Sequence, residues 1–383
     1  MLEPGSDSSC FAYSGHRFAV EYRLTGPPAE ARSRAKLLCN ELTVESADHL
    51  IPNGPIRDHV LGRVVDFEPL TENLSRAVLT FPAELVDGSL ASLLHTVFGT
   101  ASLQPGVRLV DIRLPDHIAI RWSGPRLGRR GLRTLLTVPE RPLVCAVLKP
   151  IGLSAKALAA LAYEFALGGV DLIKDDQGLA DPPFCPFEER VARCGEAVAR
   201  ARTETGKPCL YVPHLSGPWP TIAARAALAK RQGAGGFLVC PGLVGFDHMA
   251  ELTRLTEEPC VLLSHPALLG TYYASAESGI APAVLFGLLP RLAGADVSIY
   301  PTFGLSYPLS QAGCREIADS CSRPIGTLAP VFPTAAGRMD VARVPAVAAI
   351  YGRELVYVLG SGIREDPRGI RPACQDFIRT VSP

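Results

Sequence analysis

The chain has 383 residues, and its 38 Lys plus Arg balance 38 Asp plus Glu, so it carries no formal net charge. That balance argues against a nucleic-acid or membrane-surface binder, which needs a concentrated basic field. A composition of 47% hydrophobic and 20% charged residues is that of a folded globular protein and not of a disordered one.

Only six of the basic residues are lysine (Lys36, Lys149, Lys156, Lys174, Lys207 and Lys230), and the 153 residues after Lys230 contain none. The opening Met1-Leu2-Glu3-Pro4-Gly5 has neither a basic nor an apolar signal region, so a cytoplasmic protein is expected. No apolar run approaches the length of a membrane span. Eleven cysteines lie scattered without a C-x-x-C, which suits buried free thiols in a reducing compartment.

In chain order, Phe18–Leu24 alternates like a strand and Pro28–Leu42 reads as a helix. Leu61–Pro69 and Ser75–Phe81 read as strands, Pro82–Phe98 as a helix and Leu109–Arg113 as a strand. Residues 1–135 therefore form an α+β module of ferredoxin-like flavour. The arginine-rich stretch Arg121–Arg133 reads as a solvated linker. In residues 136–383, eight apolar runs alternate with helical segments such as Ser154–Leu167, Phe187–Thr203, Thr221–Arg231 and Val341–Tyr351. The runs are Val144–Leu148, Val170–Ile173, Cys209–Val212, Gly236–Cys240, Val261–Leu263, Asp296–Ile299, Ile325–Ala329 and Leu355–Leu359. Eight near-continuously apolar strands at this spacing predict an α/β fold with a C-terminal (β/α)8 TIM barrel. A doubly wound sheet would call for a glycine-rich first turn, and Lys149-Pro150-Ile151-Gly152 is not one.

A barrel of this kind places its chemistry at the carboxyl ends of its strands. Those ends carry Lys149, Lys174-Asp175-Asp176-Gln177, His214, His265, Tyr300, Thr334 through Arg338, and Gly360-Ser361-Gly362. Two of the six lysines are among them, where desolvation and neighbouring cations can lower a lysine's pKa. Adjacent residues of a strand face opposite ways, so Asp176 shares the face of Lys174 and Asp175 does not. Asp176 is then the candidate ligand for a hard cation such as Mg²⁺, and Asp175 a salt-bridge partner. His214 is a candidate acid/base or compensating metal ligand.

The stretch Gly169-Val170-Asp171-Leu172-Ile173-Lys174-Asp175-Asp176-Gln177 resembles the G-x-D-x-x-K-D-D-E segment of the rubisco large-subunit superfamily. Leu148-Lys149-Pro150-Ile151-Gly152-Leu153-Ser154 is similar to its K-P-K-x-G-L-S, one residue shorter. Val97-Phe98-Gly99 and Asp111-Ile112-Arg113-Leu114-Pro115 extend the likeness into the N-terminal part. The resemblance implies a homodimer with active sites at the subunit interface. It also implies a carbamylated lysine (N6-carboxylysine) at Lys174, with Mg²⁺ held by Lys174, Asp176 and Gln177. Here Gln177 replaces the family's third acidic ligand, which should weaken metal binding. Lys149 matches a catalytic proton-handling lysine, His265 a strand-end histidine and Glu41 a catalytic glutamate, while Thr96 stands where an asparagine would contact substrate.

Several family features are missing. Pro266 replaces a phosphate-gripping arginine, and Tyr300–Tyr307 lacks the mobile lysine that carboxylation needs. Gly337, Arg338, Gly360, Ser361 and Gly362 are the candidates for holding a phosphate or carboxylate. The resemblance is thus to the rubisco-like, non-carboxylating branch (form IV). It implies enolisation, isomerisation or decarboxylation of a small sugar phosphate or keto sugar acid. The competing expectation is a catalytically degraded dimer with a binding or regulatory role.

Overall fold

A computed structural model of the protein describes residues 12–256 and 258–382, so the opening Met1–Gly5 segment lies outside the described residues. The chain divides into two compact units, one reaching Arg121 and joined by Ser275–Ala281, the other holding the rest. The division falls ahead of residue 135 because the arginine-rich stretch is structured. Gly128–Leu136 is a helix, and its Leu132 and Leu136 belong to the barrel's apolar core. The solvated linker expected there is corrected on this ground: the helix buries Leu132 and Leu136, and Arg129 and Arg133 lie against the Phe332 ring and donate to Val331 O and to Val138 O and Arg141 O, which leaves Arg130 exposed.

The first unit is built from β1 (Arg17–Thr25), the helix Pro28–Glu41, β2 (Arg63–Thr71), β3 (Leu74–Pro82), the helix Leu90–Phe98 and β4 (Val107–Arg113). Their antiparallel order β4-β1-β3-β2 is that of a ferredoxin-like sheet. Phe18, Val20, Tyr22 and Leu24 of β1 are all buried, as strict alternation demands of a one-sided sheet. The short β11 (Gly279–Ile280), borne on the Ser275–Ala281 segment, adds a parallel edge beside β4. The second helix is shorter than Pro82–Phe98. Ser89 caps it by accepting the Ser92 N–H at 3.0 Å, and residues 83–85 ahead of it form a separate 3₁₀ turn.

The second unit is a parallel barrel of β5 (Leu143–Leu148), β6 (Leu172–Asp175), β7 (Leu210–Val212), β8 (His214–Leu215), β9 (Gly236–Val239), β10 (Val261–Ser264), β12 (Val297–Ser298), β13 (Phe332–Ala336) and β14 (Val356–Leu359). Hydrogen bonding runs β7-β6-β5-β14-β13-β12-β10-β9-β8. Because β7 and β8 are halves of one strand interrupted by Pro213, this order closes a ring of eight. Across the break, Tyr211 O and Pro213 O accept from Gly235 N and Leu238 N, each at 2.9 Å.

The seventh barrel strand is β13 and not Ile325–Ala329. That apolar run is a loop from which the buried Arg291 claims two carbonyls, through Nε to Ala329 O at 2.9 Å and Nη2 to Leu328 O, with Nη1 reaching Arg323 O just ahead of it at 2.6 Å. Pro324, Gly326 at φ 47° and Pro330 interrupt any ladder there. Among the described residues no helix is long and apolar enough to cross a membrane, and the ten described cysteines are free and buried.

Candidate active site

Inside the barrel, Cys145, Val147, Leu172, Val212, Leu238, Leu263, Ile299, Phe332 and Val358 form a continuous apolar core. Two-residue alternation carries this inward face on toward the strand ends, to Lys149 after β5, Lys174 and Asp176 on and after β6, His214 on β8, Cys240 after β9 and His265 after β10. Apolar layers give way to titratable ones at the carboxyl end. There a cleft of about 640 Å³ opens, lined by Lys149, Lys174, Gln177, His265, Arg338, Gly360 and Ser361, with Leu268, Tyr273, Ile299 and Tyr307 on its apolar walls.

Lys149 Nζ lies 3.0 Å from Asp176 Oδ2, with the lysine side chain 43% and the aspartate 3% exposed. The other carboxylate oxygen of Asp176 accepts the Gly178 N–H at 2.9 Å. Lys174 is buried, and its Nζ donates to Asp175 O at 3.0 Å. Burial first, and then the neighbouring Lys149 charge, lower its pKa from the usual lysine value, against the pull of Cys145 and Asp176. Asp175 points away from the mouth. It pairs with Arg190 Nε at 3.0 Å, both side chains fully buried, and accepts from Tyr211 OH at 2.8 Å and His214 N at 3.1 Å. This anchors β6 to the helix Phe187–Thr205 and to the neighbouring strand.

The two histidines are neutral near pH 7. Burial, then the Lys174 charge, lowers His214 to about 4 and His265 to about 2. His265 Nδ1 accepts the Ala267 N–H at 3.2 Å, which leaves the proton on Nε2. His214 Nε2 lies 3.5 Å from Cys240 Sγ, and its buried Nδ1 has no partner. Arg338 is exposed at φ 46° and follows Gly337 at φ 99°, where a side chain would run into Leu305. Gly360 and Ser361 line the cleft. Gly362 does not reach it, and a Cβ there would come within 3.1 Å of Met339 O, a packing reason for the glycine.

Tyr300, expected at the mouth as a strand end, lines the cleft together with Ile299, but its side chain is fully buried and stacks at 19° on Phe286. Glu41 and Thr96 belong to the first unit. Glu41 accepts from Gln104 Nε2, and Thr96 donates to Leu85 O at 3.3 Å. Sequence reasoning missed Arg190 and Cys240: an arginine in an amphipathic helix reads as a surface charge, and a cysteine ending an apolar run reads as core.

The profile described as "Ribulose bisphosphate carboxylase large chain, catalytic domain" matches residues 129–308. The ribulose bisphosphate carboxylase-like protein 1 of Rhodopseudomonas palustris is 36% identical over 91% of this chain and 92% of its own. A 5-methylthioribulose-1-phosphate isomerase of Rhodospirillum rubrum is 33% identical over 96% of each. A 2,3-diketo-5-methylthiopentyl-1-phosphate enolase of Microcystis aeruginosa is 31% identical over 95% of this chain and 92% of its own. A solved rubisco-like protein from Rhodopseudomonas palustris superposes with a TM-score of 0.85 at 33% identity, covering 95% of this chain and 97% of that one. The chain belongs to the ribulose bisphosphate carboxylase large-chain family. Within that family it is a rubisco-like protein.

Proposed function

We propose that this rubisco-like chain is a non-carboxylating enzyme that enolises, and so isomerises, a small sugar phosphate. The observation that carries the reading is Lys149, a partly exposed amine at the cleft wall held 3.0 Å from the buried Asp176. The lysine-free sequence after Lys230 supports the non-carboxylating part, and the names of the isomerase and enolase relatives support the substrate class.

The family implies Mg²⁺ on a carbamylated lysine. Among the described residues no three His, Cys, Asp or Glu side chains converge to hold a metal ion. The fit therefore depends on the oxygens a carbamate would add to Lys174, with the Asp176 carboxylate and the Gln177 amide oxygen completing the set. Bound there, Mg²⁺ would polarise the substrate carbonyl and lower the cost of the enediolate charge. His265 offers its Nε2–H to a substrate oxygen as a neutral donor, because burial keeps the ring from becoming an imidazolium. Lys149 carries the proton between substrate carbons, and Asp176 holds its ammonium form in place between transfers. Arg338, with the backbone of Gly360 and Ser361, receives the phosphate. Leu268, Tyr273 and Tyr307 face the apolar end of the substrate. A homodimer in which Glu41 and Thr96 serve a neighbouring copy belongs to the same proposal, with sedimentation analysis as its check.

Incubation with a 5-methylthioribulose 1-phosphate-type substrate in D₂O tests the reading. Deuterium should enter at the carbon next to the carbonyl, without CO₂ release. CO₂ release would instead favour decarboxylation of a keto sugar acid. The lack of a three-ligand cluster keeps a binding dimer as the second reading, favoured by tight calorimetric binding of sugar phosphates with neither exchange nor turnover.

A further inference from the structure

His214 is 2% exposed, sits among the inward-facing groups of the barrel mouth, and leaves Nδ1 without a hydrogen-bond partner. A buried polar atom left unsatisfied is costly, so a native site keeps one where something arrives to meet it. The strand ladder restricts what that can be. Lys174 of β6 is registered against Val212 of β7, and His214 lies two residues further along that same strand, on the same face. On the other flank His214 is registered against Leu238 of β9, two residues before Cys240. His214 therefore stands between the β6 cluster of Lys174 and Asp176 on one side and Cys240 on the other.

Its Nε2 is committed to the Cys240 side, 3.5 Å from a sulfur that is itself fully buried. In the tautomer in which the buried thiol donates to Nε2, the ring proton sits on Nδ1. In that tautomer Nδ1–H has no acceptor among the described residues.

We propose that His214 donates Nδ1–H to a carbamate formed on Lys174, so that this chain retains the modified lysine without a metal ion. The proposal rests on the reading that makes Lys174 the carbamylation site. It goes beyond that reading in assigning the holding role to a His214–Cys240 pair. In forming the carbamate, the neutral Lys174 amine attacks the carbon of CO₂ and makes an N–C bond. One C=O π pair becomes the carboxylate charge, and the displaced N–H proton passes to water. The new anion then lies among Lys149, the backbone and the His214 N–H. Where Gln177 has removed a charge from the metal site, a fixed neutral donor stabilises the carbamate by another route. His214 is a positioning residue here and touches no reacting atom of the substrate.

The test uses the full chain treated with EDTA, equilibrated with ¹³C-bicarbonate and CO₂. Adducts are trapped by alkylation and located by peptide mass spectrometry, with ¹³C NMR as the direct readout. Wild-type protein should carry the label at Lys174 in EDTA. His214→Leu should lower its occupancy constant about tenfold or more, the worth of a charge-assisted hydrogen bond. His214→Asn, which restores an N–H near the Nδ1 position, should recover most of it. Saturating Mg²⁺ should restore the label in His214→Leu. A wild-type protein without label in EDTA, or equal labelling of His214→Leu, overturns the proposal, and the wild-type arm decides even where a variant fails to fold. Label that needs Mg²⁺ in the wild type leaves the enolisation reading standing while this one falls. Metal-free label without substrate proton exchange does the reverse.

Discussion

The two ends of the barrel treat their buried charges in opposite ways. At the amino end, Asp171 accepts Arg141 through both of its oxygens at 2.7 Å each and also takes the Val144 N–H at 2.7 Å. Asp296 accepts three backbone N–H groups, from Leu262, Gly128 and Leu127, and so pins the start of the helix Gly128–Leu136. At the carboxyl end, Lys174 donates to one carbonyl, His214 leaves a nitrogen unpaired, and Lys149 shares Asp176 with whatever else that carboxylate can hold. Saturated polar groups hold a fold together, whereas unsaturated ones are held open for a visitor. The difference separates residues whose loss should damage stability from those whose loss should damage chemistry.

The largest expected effect lies at the open end. Lys149→Met should lower substrate proton exchange by about 10² to 10⁴-fold, the range for losing a general acid–base group. Its unfolding midpoint should fall less than that of a closed-end variant, because the lysine is partly exposed and Asp176 keeps the Gly178 N–H. NMR of exchange beside a urea melt separates the two quantities, and equal exchange rates would remove Lys149 from the mechanism. The mirror-image change is Asp171→Ala, which strands Arg141 at the closed end. It should cost about 3–5 kcal/mol of folding stability, as breaking a buried, hydrogen-bonded ion pair does. Urea unfolding measures it, and a cost under 1 kcal/mol would mean that the closed end is not the stability anchor.

Much of this contrast is legible in the sequence, and the illegible part has physical causes. Near-continuous apolar runs locate seven of the eight barrel strands, because burial on both faces leaves little room for polar residues. Ile325–Ala329 has the same composition, but two of its carbonyls go to Arg291, a long-range partner that no local pattern announces. Strand alternation correctly separates Asp175, turned to Arg190, from Asp176, turned to Lys149. The His214–Cys240 contact joins residues 26 positions apart through β-register, and neither residue carries a motif of its own. The helix hidden in the arginine-rich stretch escaped because its charges outnumber its two core leucines.

Acidification should weaken the open end first. His214 and His265 titrate at about 4 and about 2 in the folded protein because burial disfavours their charged forms, whereas an unfolded histidine titrates near 6.5. Below pH 6.5 the unfolded chain therefore binds protons that the folded chain does not, and stability falls as the pH drops. Between pH 6.5 and 5 the loss should reach about 2 kcal/mol per histidine. Urea midpoints at pH 7 and pH 5 should converge in a His214→Asn, His265→Asn double variant. An unchanged slope would place the acid sensitivity elsewhere.

The smallest effect concerns the one ligand position where charge has been lost. Asp176 is the sole carboxylate facing the mouth from the β6 end, and Lys149 already neutralises it at 3.0 Å. Gln177 lines the same cleft but offers only an amide oxygen. Gln177→Glu adds a second anionic oxygen donor to the set that would hold Mg²⁺, so affinity for the ion should rise about tenfold, a gain near 1.4 kcal/mol. The new carboxylate could instead recruit Lys149 and tighten the resting ion pair. Calorimetric titration with Mg²⁺ under CO₂, run on Gln177→Glu with and without Lys149→Met, separates these outcomes. A rise only in the double variant makes Lys149 the competitor that keeps the metal weak. No rise in either would take position 177 out of the metal's reach and leave the open end to hold its charge through lysine and histidine alone.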